Sequence, residues 1–224
     1  MITVQACLNG PRTAGVPVTP EQLAADAAAC VAEGAESLHL HVRDRTGAES
    51  LEPEDVAATL AAVRRAAPGV EISLSTGLWI TPRRYELVAA WDETPELVSL
   101  NLSEDGWQRL AALLTERGIG IEAGLATTED AEALTRSELA PYRVLVEVEG
   151  GVADAAAIDE VLDRAGHAAP RLHHGYGAAT WAVLEAAKAR GHDVRIVLED
   201  TLELPDGAPA SGNAELVRYC LNGS

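Results

Sequence analysis

Eight short runs rich in β-branched and other apolar residues alternate with eight alanine-rich runs of helical periodicity along this chain of 224 residues. Strands that alternate with helices lie parallel in their sheet and are joined by right-handed crossovers. Eight such units, with no linker between them, predict one domain over 1–224, folded as a (β/α)8 TIM barrel with short loops. The predicted strands span 3–8, 37–43, 71–77, 96–102, 119–125, 143–149, 171–175 and 194–200.

Proline, glycine and capping residues mark the ends of the predicted helices. Thr19-Pro20-Glu21 combines a cap residue with proline at the first helical position, and Gly34 ends this helix. An open Rossmann sheet is the rival fold, but the segment after the first strand reads NGPR and lacks the GxGxxG fingerprint. The other helices are predicted to begin at Pro53, Pro82, Ser103, Thr128, Ala153, Ala178 and Asn213.

The charge balance excludes several classes of partner. With 35 acidic against 17 basic residues the net charge is −18, whereas binders of nucleic acid or anionic membranes need a basic face. No apolar run reaches the ~20 residues of a membrane span, and the N-terminus lacks a signal-peptide pattern. Cys7, Cys30 and Cys220 form no CxxC motif and do not suggest a disulfide framework. A cytoplasmic protein that binds neither nucleic acid nor membrane is expected.

Lysine chemistry is close to excluded as well. Lys188 is the one lysine of the sequence, and it lies in a helical stretch where a solvated surface charge is the expected role. A Schiff-base or pyridoxal-phosphate enzyme needs a desolvated lysine amine. If the substrate is a carbonyl compound, a metal ion is therefore the natural electron sink.

Polar residues occupy one face of most predicted strands. Because the surrounding helices need an apolar surface, the polar face must point to the barrel axis. Each polar group left unpaired there costs about 1–3 kcal/mol, so a polar axis indicates a chemical role. The inward sets are Gln5, Cys7, Asn9; His39, His41, Arg43; Ser73, Ser75; Ser99, Asn101; Glu122; Glu147, Glu149; and Arg195, Val197, Glu199.

The pair His39-x-His41 is the sharpest feature of the sequence. Two imidazoles on one strand face, about 7 Å apart, can converge on one metal ion. Glu199, predicted at the carboxyl end of the eighth strand, is separated from strand 2 only by strand 1 and can reach the same point. Two histidines and a carboxylate with an open fourth position form a catalytic zinc arrangement, which Fe(II) or Mn(II) also suits. The alternative is a pair of hydrogen-bonded interior histidines without a metal.

Two further groups surround this predicted site. Arg195 is either a structural ion-pair partner or a two-pronged ligand for a substrate carboxylate, and Asp200 is a candidate general base. The turn after strand 7 reads HGYG, and the backbone amides at Gly175 and Gly177 could cradle an anion. Glycines in a tight turn need no ligand to explain them, so both interpretations stay open.

The motifs together resemble those of the β-keto acid cleavage enzymes, whose founding activity is 3-keto-5-aminohexanoate cleavage. The resemblance covers more than half of the chain and rests on ACLNGPRT, VPVTPEQLAADAAACVAEGAESLHLHVRD, SLEPEDVAATL, STG and VRIVLEDTLELPDGAPASGNAELV. It implies a (β/α)8 barrel with a divalent metal, usually zinc, on His39, His41 and Glu199. It also implies a retro-Claisen reaction between a β-keto acid and acetyl-CoA, giving an acyl-CoA and acetoacetate.

The resemblance extends to individual site residues. The family's arginine and aspartate near the last strand fall on Arg195 and Asp200, and its strand-3 serine falls on Ser75; these three are the predicted catalytic residues. The predicted substrate-binding residues are Ser99, Asn101, Glu122, Asn9, Gly175 and Gly177. The sequence departs from the family in its short loops, in Val197 where a glycine is common, and in the HGYGAATW turn.

The predicted function is therefore a zinc-dependent β-keto acid cleavage enzyme that uses acetyl-CoA and forms a homo-oligomer. One alternative is a metal-dependent aldolase or hydrolase that uses the same site without CoA. The other is a non-catalytic metal-binding barrel. The short loops leave both the acyl acceptor and the identity of the keto acid open.

Overall fold

A computed structural model describes residues 2–12 and 14–222, which form a closed barrel of eight parallel strands in sequential order. The (β/α)8 prediction is confirmed. The strands are β1 Val4–Cys7, β2 Ser37–Leu40, β3 Glu71–Ser75, β4 Leu97–Asn101, β5 Gly120–Leu125, β6 Arg143–Val148, β7 Arg171–Gly175 and β8 Asp193–Ile196. The helices are α1 Pro20–Ala32, α2 Pro53–Ala66, α3 Arg84–Ala89, α4 Trp107–Glu116, α5 Thr128–Arg136, α6 Val152–Arg164, α7 Thr180–Ala189 and α8 Asn213–Asn222.

Local sequence signals explain most helix starts. Thr19 caps α1 by accepting a hydrogen bond from the backbone of Gln22, whose side chain accepts one from the backbone of Thr19 in return. Such a cap contributes about 1 kcal/mol. The predicted starts at Pro53, Thr128 and Asn213 are confirmed. The other starts differ by one to four residues, because turns precede α3 and α4 and a 3₁₀ turn precedes α7.

The eighth strand is shorter than predicted. It ends at Ile196, and the amides of Asp200 and Thr201 then donate to the carbonyl of Val197 at 3.0 and 3.1 Å. Glu199 therefore projects from a turn beyond the strand rather than from the strand itself. Similarly β2 ends at Leu40, so His41 lies just past the strand end. Both deviations carry side chains to the carboxyl mouth of the barrel.

The main hydrophobic core lies between the strands and the helices. Outward-facing strand residues such as Leu38, Leu40 and Leu74 are fully buried against the helix faces. Burying one such side chain stabilises the fold by about 1.5–3 kcal/mol. Trp91 fills a gap after α3 and donates its indole N–H to the carbonyl of Leu51 at 2.9 Å. In the part of the chain that the structure describes, no helix is long and apolar enough to cross a membrane.

Inside the barrel, the half nearer the amino ends of the strands is filled by polar side chains bonded to each other. We call this set the inner network: Gln5, Ser37, Ser73, Glu122 and Arg143. Oε1 of Glu122 accepts from Nε2 of Gln5 at 2.9 Å and from Nε of Arg143 at 2.7 Å. The hydroxyl of Ser73 donates to the other oxygen of Glu122. Glu122 was predicted to face the substrate, but it is fully buried in this network and does not line the cavity described below.

Candidate active site

A cavity of about 680 Å³ opens at the carboxyl ends of the strands. This is the end at which (β/α)8 enzymes carry their active sites. The lining includes eight residues that the sequence analysis selected or placed on the barrel axis, and four that it did not. The lining residues are Pro11, Arg12, His39, His41, Ser75, Trp79, Ser99, Asn101, Glu147, Tyr176, Arg195 and Glu199.

The two histidines lie side by side in the wall of this cavity, with their ring centroids 5.3 Å apart. Nδ1 of His39 is 3.1 Å from the hydroxyl of Ser73, and Nδ1 of His41 is 2.5 Å from Oε1 of Glu49. Among the described residues, Nε2 of neither ring has a hydrogen-bond partner. Burial, reinforced by nearby Arg195, lowers the pKa of His39 well below its usual value. A neutral imidazole whose Nδ1 is fixed by an oxygen has the form of a metal ligand.

The sequence did not point to Glu49, which lies in the loop between β2 and α2. Oε1 of Glu49 accepts from His41, and its Oε2 accepts from the indole N–H of Trp79 at 3.0 Å. A carboxylate that orients a ligating histidine is a recurrent support in metal sites. No spacing rule links residue 49 to residue 41, because the contact depends on how the loop folds back over the strand end.

Glu199 and Cys7 complete the cluster. Sγ of Cys7 and one ring nitrogen each of His39 and His41 lie within 4.8 Å of one another. Oε2 of Glu199 is 2.9 Å from Sγ of Cys7. Burial opposes the charge of Glu199, but Arg195 and His41 hold its pKa at about 2. Two imidazoles, an ionised carboxylate and a thiol together form a donor set suited to a divalent transition metal.

The backbone at Gly10 makes room for this carboxylate. Its φ of +55° is in the left-handed region, and a Cβ atom there would collide with the side chain of Glu199. Only glycine meets both requirements at low cost. The turn at Asn9-Gly10 therefore leaves space for the side chain of Glu199, which follows β8, beside the histidines.

Arg195 lies on β8 beside the cluster and lines the cavity with 3% of its surface exposed. Its Nη2 donates to Oε2 of Glu199 at 3.0 Å, whereas its Nε has no partner among the described residues. An unpaired buried guanidinium donor costs free energy that a bound anion can recover. Arg195 can therefore both orient Glu199 and bind a carboxylate.

A line of ionisable side chains runs from behind the cavity to its wall. Oδ1 of Asp200 is 3.2 Å from Nδ1 of His174, and Nε2 of His174 is 3.2 Å from Oε2 of Glu147. Burial opposes protonation of His174, but Asp200 and Glu147 together raise its pKa to about 9. His174 is therefore cationic near neutral pH, between two carboxylates.

The ends of this line differ in accessibility. Asp200 is fully buried and does not line the cavity, and its Oδ2 has no partner among the described residues. Glu147, by contrast, faces the cavity and accepts a hydrogen bond from the hydroxyl of Tyr176 at 3.4 Å. Strand alternation placed Glu147 on the barrel axis, but the sequence analysis assigned it no role.

Three predicted substrate-binding residues are engaged elsewhere. The side-chain amide of Asn9 donates to the carbonyl of His41 at 2.8 Å and accepts from its amide at 2.9 Å, which ties β1 to β2. The amide of Gly177 donates to the carbonyl of Asp200 at 2.7 Å. Gly175 is buried at the end of β7, where a Cβ would press on Val183. None of the three lines the cavity, and the glycine turn does not present the predicted anion cradle.

The remaining predictions fall on the opposite wall. Ser75, Ser99 and Asn101 all line the cavity from β3 and β4. Gly124 on the neighbouring strand has no room for a Cβ, which would collide with Oδ1 of Asn101 and Oε1 of Glu147. The absence of a side chain at Gly124 thus allows these two polar groups to approach each other.

A side chamber of about 410 Å³ adjoins the main cavity and shares Asn101, Glu147 and Tyr176 with it. Its remaining wall includes Glu149 and Asp154. A polyanion is disfavoured in this chamber by the negative charge of its wall. Arg12 and Arg195 make the main cavity the more favourable side for an anionic group.

The fold and the position of the cavity define the class: a (β/α)8 barrel with a polar candidate active site at the carboxyl ends of its strands. The sequence model for the beta-keto acid cleavage enzymes matches residues 2–222, and the chain belongs to this family. A 3-keto-5-aminohexanoate cleavage enzyme from Fusobacterium nucleatum subsp. nucleatum is 24% identical over 90% of this chain and 81% of its own length.

Solved structures agree on the fold. ObcA in a ternary complex with a C4-CoA adduct and oxalate superposes with a TM-score of 0.73 at 17% identity, over 91% of this chain and 62% of that chain. The binary complex of ObcA with oxaloacetate gives a TM-score of 0.71 at 16% identity over the same shares. The chain thus spans about three fifths of the length of ObcA.

Proposed function

We propose that the protein transfers the acyl group of a β-keto acid to CoA in a metal-dependent reaction. In this reaction the bond between the keto carbon and the carboxymethyl group breaks. The carboxymethyl group joins the acetyl group of acetyl-CoA to give acetoacetate, and the remaining acyl group forms a thioester with CoA. Family membership supports β-keto acid cleavage. The observation that carries the metal site is the convergence of Cys7, His39 and His41, with Glu199 in contact with both Cys7 and Arg195.

A divalent ion, zinc in the first instance, would be held by His39, His41 and Glu199. It would supply Lewis-acid polarisation of the keto oxygen. The fit rests on the free Nε2 atoms of two rings whose Nδ1 atoms are fixed by Ser73 and Glu49. Other residues of the chain would bind and orient the substrate and accept its proton.

Arg195, which lines the cavity, binds the carboxylate of the keto acid, while its Nη2 holds Glu199. Ser75, Ser99 and Asn101 orient the substrate by hydrogen bonds from the opposite wall. Two-sided binding of this kind places the scissile bond relative to the metal ligands and reduces the entropy lost in the reaction.

Asp200, the predicted general base, acts through a chain of side chains whose other end, Glu147, is the base that faces the cavity. The side chain of Asp200 cannot touch a substrate in the cavity, whereas it contacts His174, which contacts Glu147. A proton taken from the substrate is accepted at Glu147, the member of this chain that lines the cavity, and cationic His174 stabilises the charges on either side.

Acetyl-CoA is the proposed co-substrate. The ObcA complex with a C4-CoA adduct supports this choice, because it shows a CoA derivative on a barrel of the same fold. Within this acidic chain, Arg12 and Arg195 provide positive charge at the cavity for the anionic co-substrate. Assembly into a homo-oligomer and a cytoplasmic location stay predictions.

The test is incubation of the purified protein with a panel of β-keto acids, with and without acetyl-CoA, followed by mass spectrometry of the CoA thioesters. A new acyl-CoA together with acetoacetate is expected for at least one keto acid. His41→Ala should abolish this product, and His167→Ala, a change in the loop before β7, is the matched control that should retain it.

Two outcomes would contradict the proposal, and each would indicate one of the alternative functions. Consumption of a keto acid at the same rate without acetyl-CoA indicates the metal-dependent aldolase or hydrolase. No consumption of any keto acid, together with no bound metal after native purification, indicates a non-catalytic barrel.

A further inference from the structure

Cys7 differs from the other two cysteines in its surroundings. Cys30 and Cys220 pack in the hydrophobic core between helices and strands, whereas Cys7 is not part of that core. It is the last residue of β1, fully buried, and it points to the barrel axis. A buried cysteine ordinarily acts as a small apolar side chain, so a polar environment around its sulfur requires a different explanation.

The sulfur atom lies among the proposed metal ligands. Sγ of Cys7 is within 4.8 Å of a ring nitrogen of His39 and of His41, and 2.9 Å from Oε2 of Glu199. The donor atoms of Cys7 and the two histidines are thus close enough to contact one ion, and a carboxylate oxygen of Glu199 contacts the same sulfur. The ends of β1 and β2 and the turn after β8 bring them together, which no local sequence motif requires.

We propose that the Cys7 thiolate is a fourth protein ligand of the metal, beside His39, His41 and Glu199. This inference rests on the proposed metal site and adds a residue to it. When the metal binds, the S–H bond of Cys7 breaks, a metal–sulfur bond forms, and the proton leaves to the solvent. The hydrogen bond from Cys7 to Glu199 is exchanged for a bond from each group to the ion.

A thiolate ligand has two chemical consequences. It favours zinc and other soft or borderline ions over Mg²⁺ and Mn²⁺, which prefer oxygen ligands. It also fills the position that three-ligand catalytic zinc sites leave to water. A keto acid would then bind as an additional ligand, by expansion of the coordination shell to five.

Cobalt substitution tests the sulfur ligand directly. Co²⁺ bound to a thiolate shows a sulfur-to-cobalt charge-transfer band in the near ultraviolet, in addition to its visible bands. Co²⁺-loaded wild type and Cys30→Ala, the matched control, should both show this band. Cys7→Ser and Cys7→Ala should bind Co²⁺ without it, and their zinc affinity, measured by chelator competition, should fall about 10–100-fold or more.

The outcomes separate this inference from the proposed function. Visible cobalt bands without the near-ultraviolet band in the wild type overturn the role of Cys7 and leave the metal site in place. An unchanged near-ultraviolet band in Cys7→Ala also overturns it. Absence of any Co²⁺ or Zn²⁺ binding by the wild type overturns both.

A second measurement does not depend on variants that may lose their fold. X-ray absorption at the zinc edge of the wild-type holoprotein should show one sulfur scatterer at about 2.3 Å, the usual zinc–thiolate distance. A shell of nitrogen and oxygen alone contradicts the inference.

Discussion

The barrel interior contains two polar regions that are similarly buried and differently satisfied. In the inner network, the charge of Glu122 is matched by Arg143 and by hydrogen bonds from Gln5 and Ser73. At the mouth, Nε of Arg195, Oδ2 of Asp200 and the Nε2 atoms of the two histidines have no partners in the described ranges, 2–12 and 14–222. Buried polarity is therefore common to both regions. Among the described residues, the inner network leaves one atom unpaired, Oε1 of Gln5, whereas the unpaired atoms at the mouth belong to four side chains.

The largest expected effect breaks the inner network. Arg143→Met leaves the Glu122 carboxylate buried without its counter-ion, which should lower the free energy of unfolding by about 3–5 kcal/mol. The double variant with Glu122→Gln should recover part of this loss, because the uncompensated charge is removed. Urea denaturation measures both. An unchanged unfolding midpoint for Arg143→Met would show that the network contributes nothing to stability.

The next effect concerns the charged line behind the cavity. The pKa of His174 is about 9 in the folded protein, because Asp200 and Glu147 outweigh its burial, against an unfolded value of 6.5. The proton thus stabilises the folded state: the contribution is complete below about pH 6.5 and is lost as the pH rises through 9. It amounts to as much as about 3 kcal/mol.

Unfolding of the metal-free protein at several pH values, with His174→Gln as the comparison, measures this effect. The stability advantage of wild type over His174→Gln should shrink between pH 6.5 and 9. An advantage that is independent of pH contradicts the charged state assigned to His174.

The sequence predicts which side chains face the barrel axis, but not which of the two polar regions each of them joins. Alternation of residue types placed Glu122, Glu147 and the histidines on the barrel axis, and all of them are there. The depth of a side chain along the axis depends on the stagger of the eight strands, which the pattern does not contain. Alternation alone therefore does not distinguish Glu122, which the family resemblance assigns to the substrate, from Glu147, which lines the cavity.

The sequence does not predict the contacts of loop residues either, because these contacts depend on how the loops fold and how the strands pair. Glu199 was placed at the mouth although its strand is three residues shorter than predicted, because a turn carries it to the same point. Asn9 is predicted to bind substrate, whereas its side chain bonds to the His41 backbone, a contact that depends on the pairing of β1 with β2. Glu49 reaches His41 across a loop, and no periodicity predicts such a contact.

A smaller effect tests the mouth without removing a ligand. Glu49→Gln weakens the hydrogen bond that orients His41 and should lower zinc affinity about 10–100-fold. The free energy of unfolding of the metal-free protein should change by less than about 1 kcal/mol, since Glu49 lies partly exposed in a loop. Glu54→Gln, an exposed change on α2, is the matched control. Equal zinc affinities of the two variants would remove Glu49 from the site.

The smallest effect is expected at Trp79, which contacts Glu49 and not the proposed metal ligands by hydrogen bond. Trp79→Phe removes the indole donor from Oε2 of Glu49 while keeping an aromatic ring near His41. Loss of one partly exposed hydrogen bond should lower zinc affinity about 2–5-fold. Isothermal titration with zinc gives the ratio, and an effect as large as that of Glu49→Gln would indicate that Trp79 contacts the metal site in another way.

The comparison of the two regions is tested most directly by the metal content of three natively purified proteins: wild type, His41→Ala and Arg143→Met. Elemental analysis should find about one divalent transition metal ion per chain in wild type and in folded Arg143→Met, and none in His41→Ala. A wild-type protein that retains no metal even after incubation with zinc, or a His41→Ala protein that retains it fully, would contradict the assignment of the mouth as the metal-dependent active site.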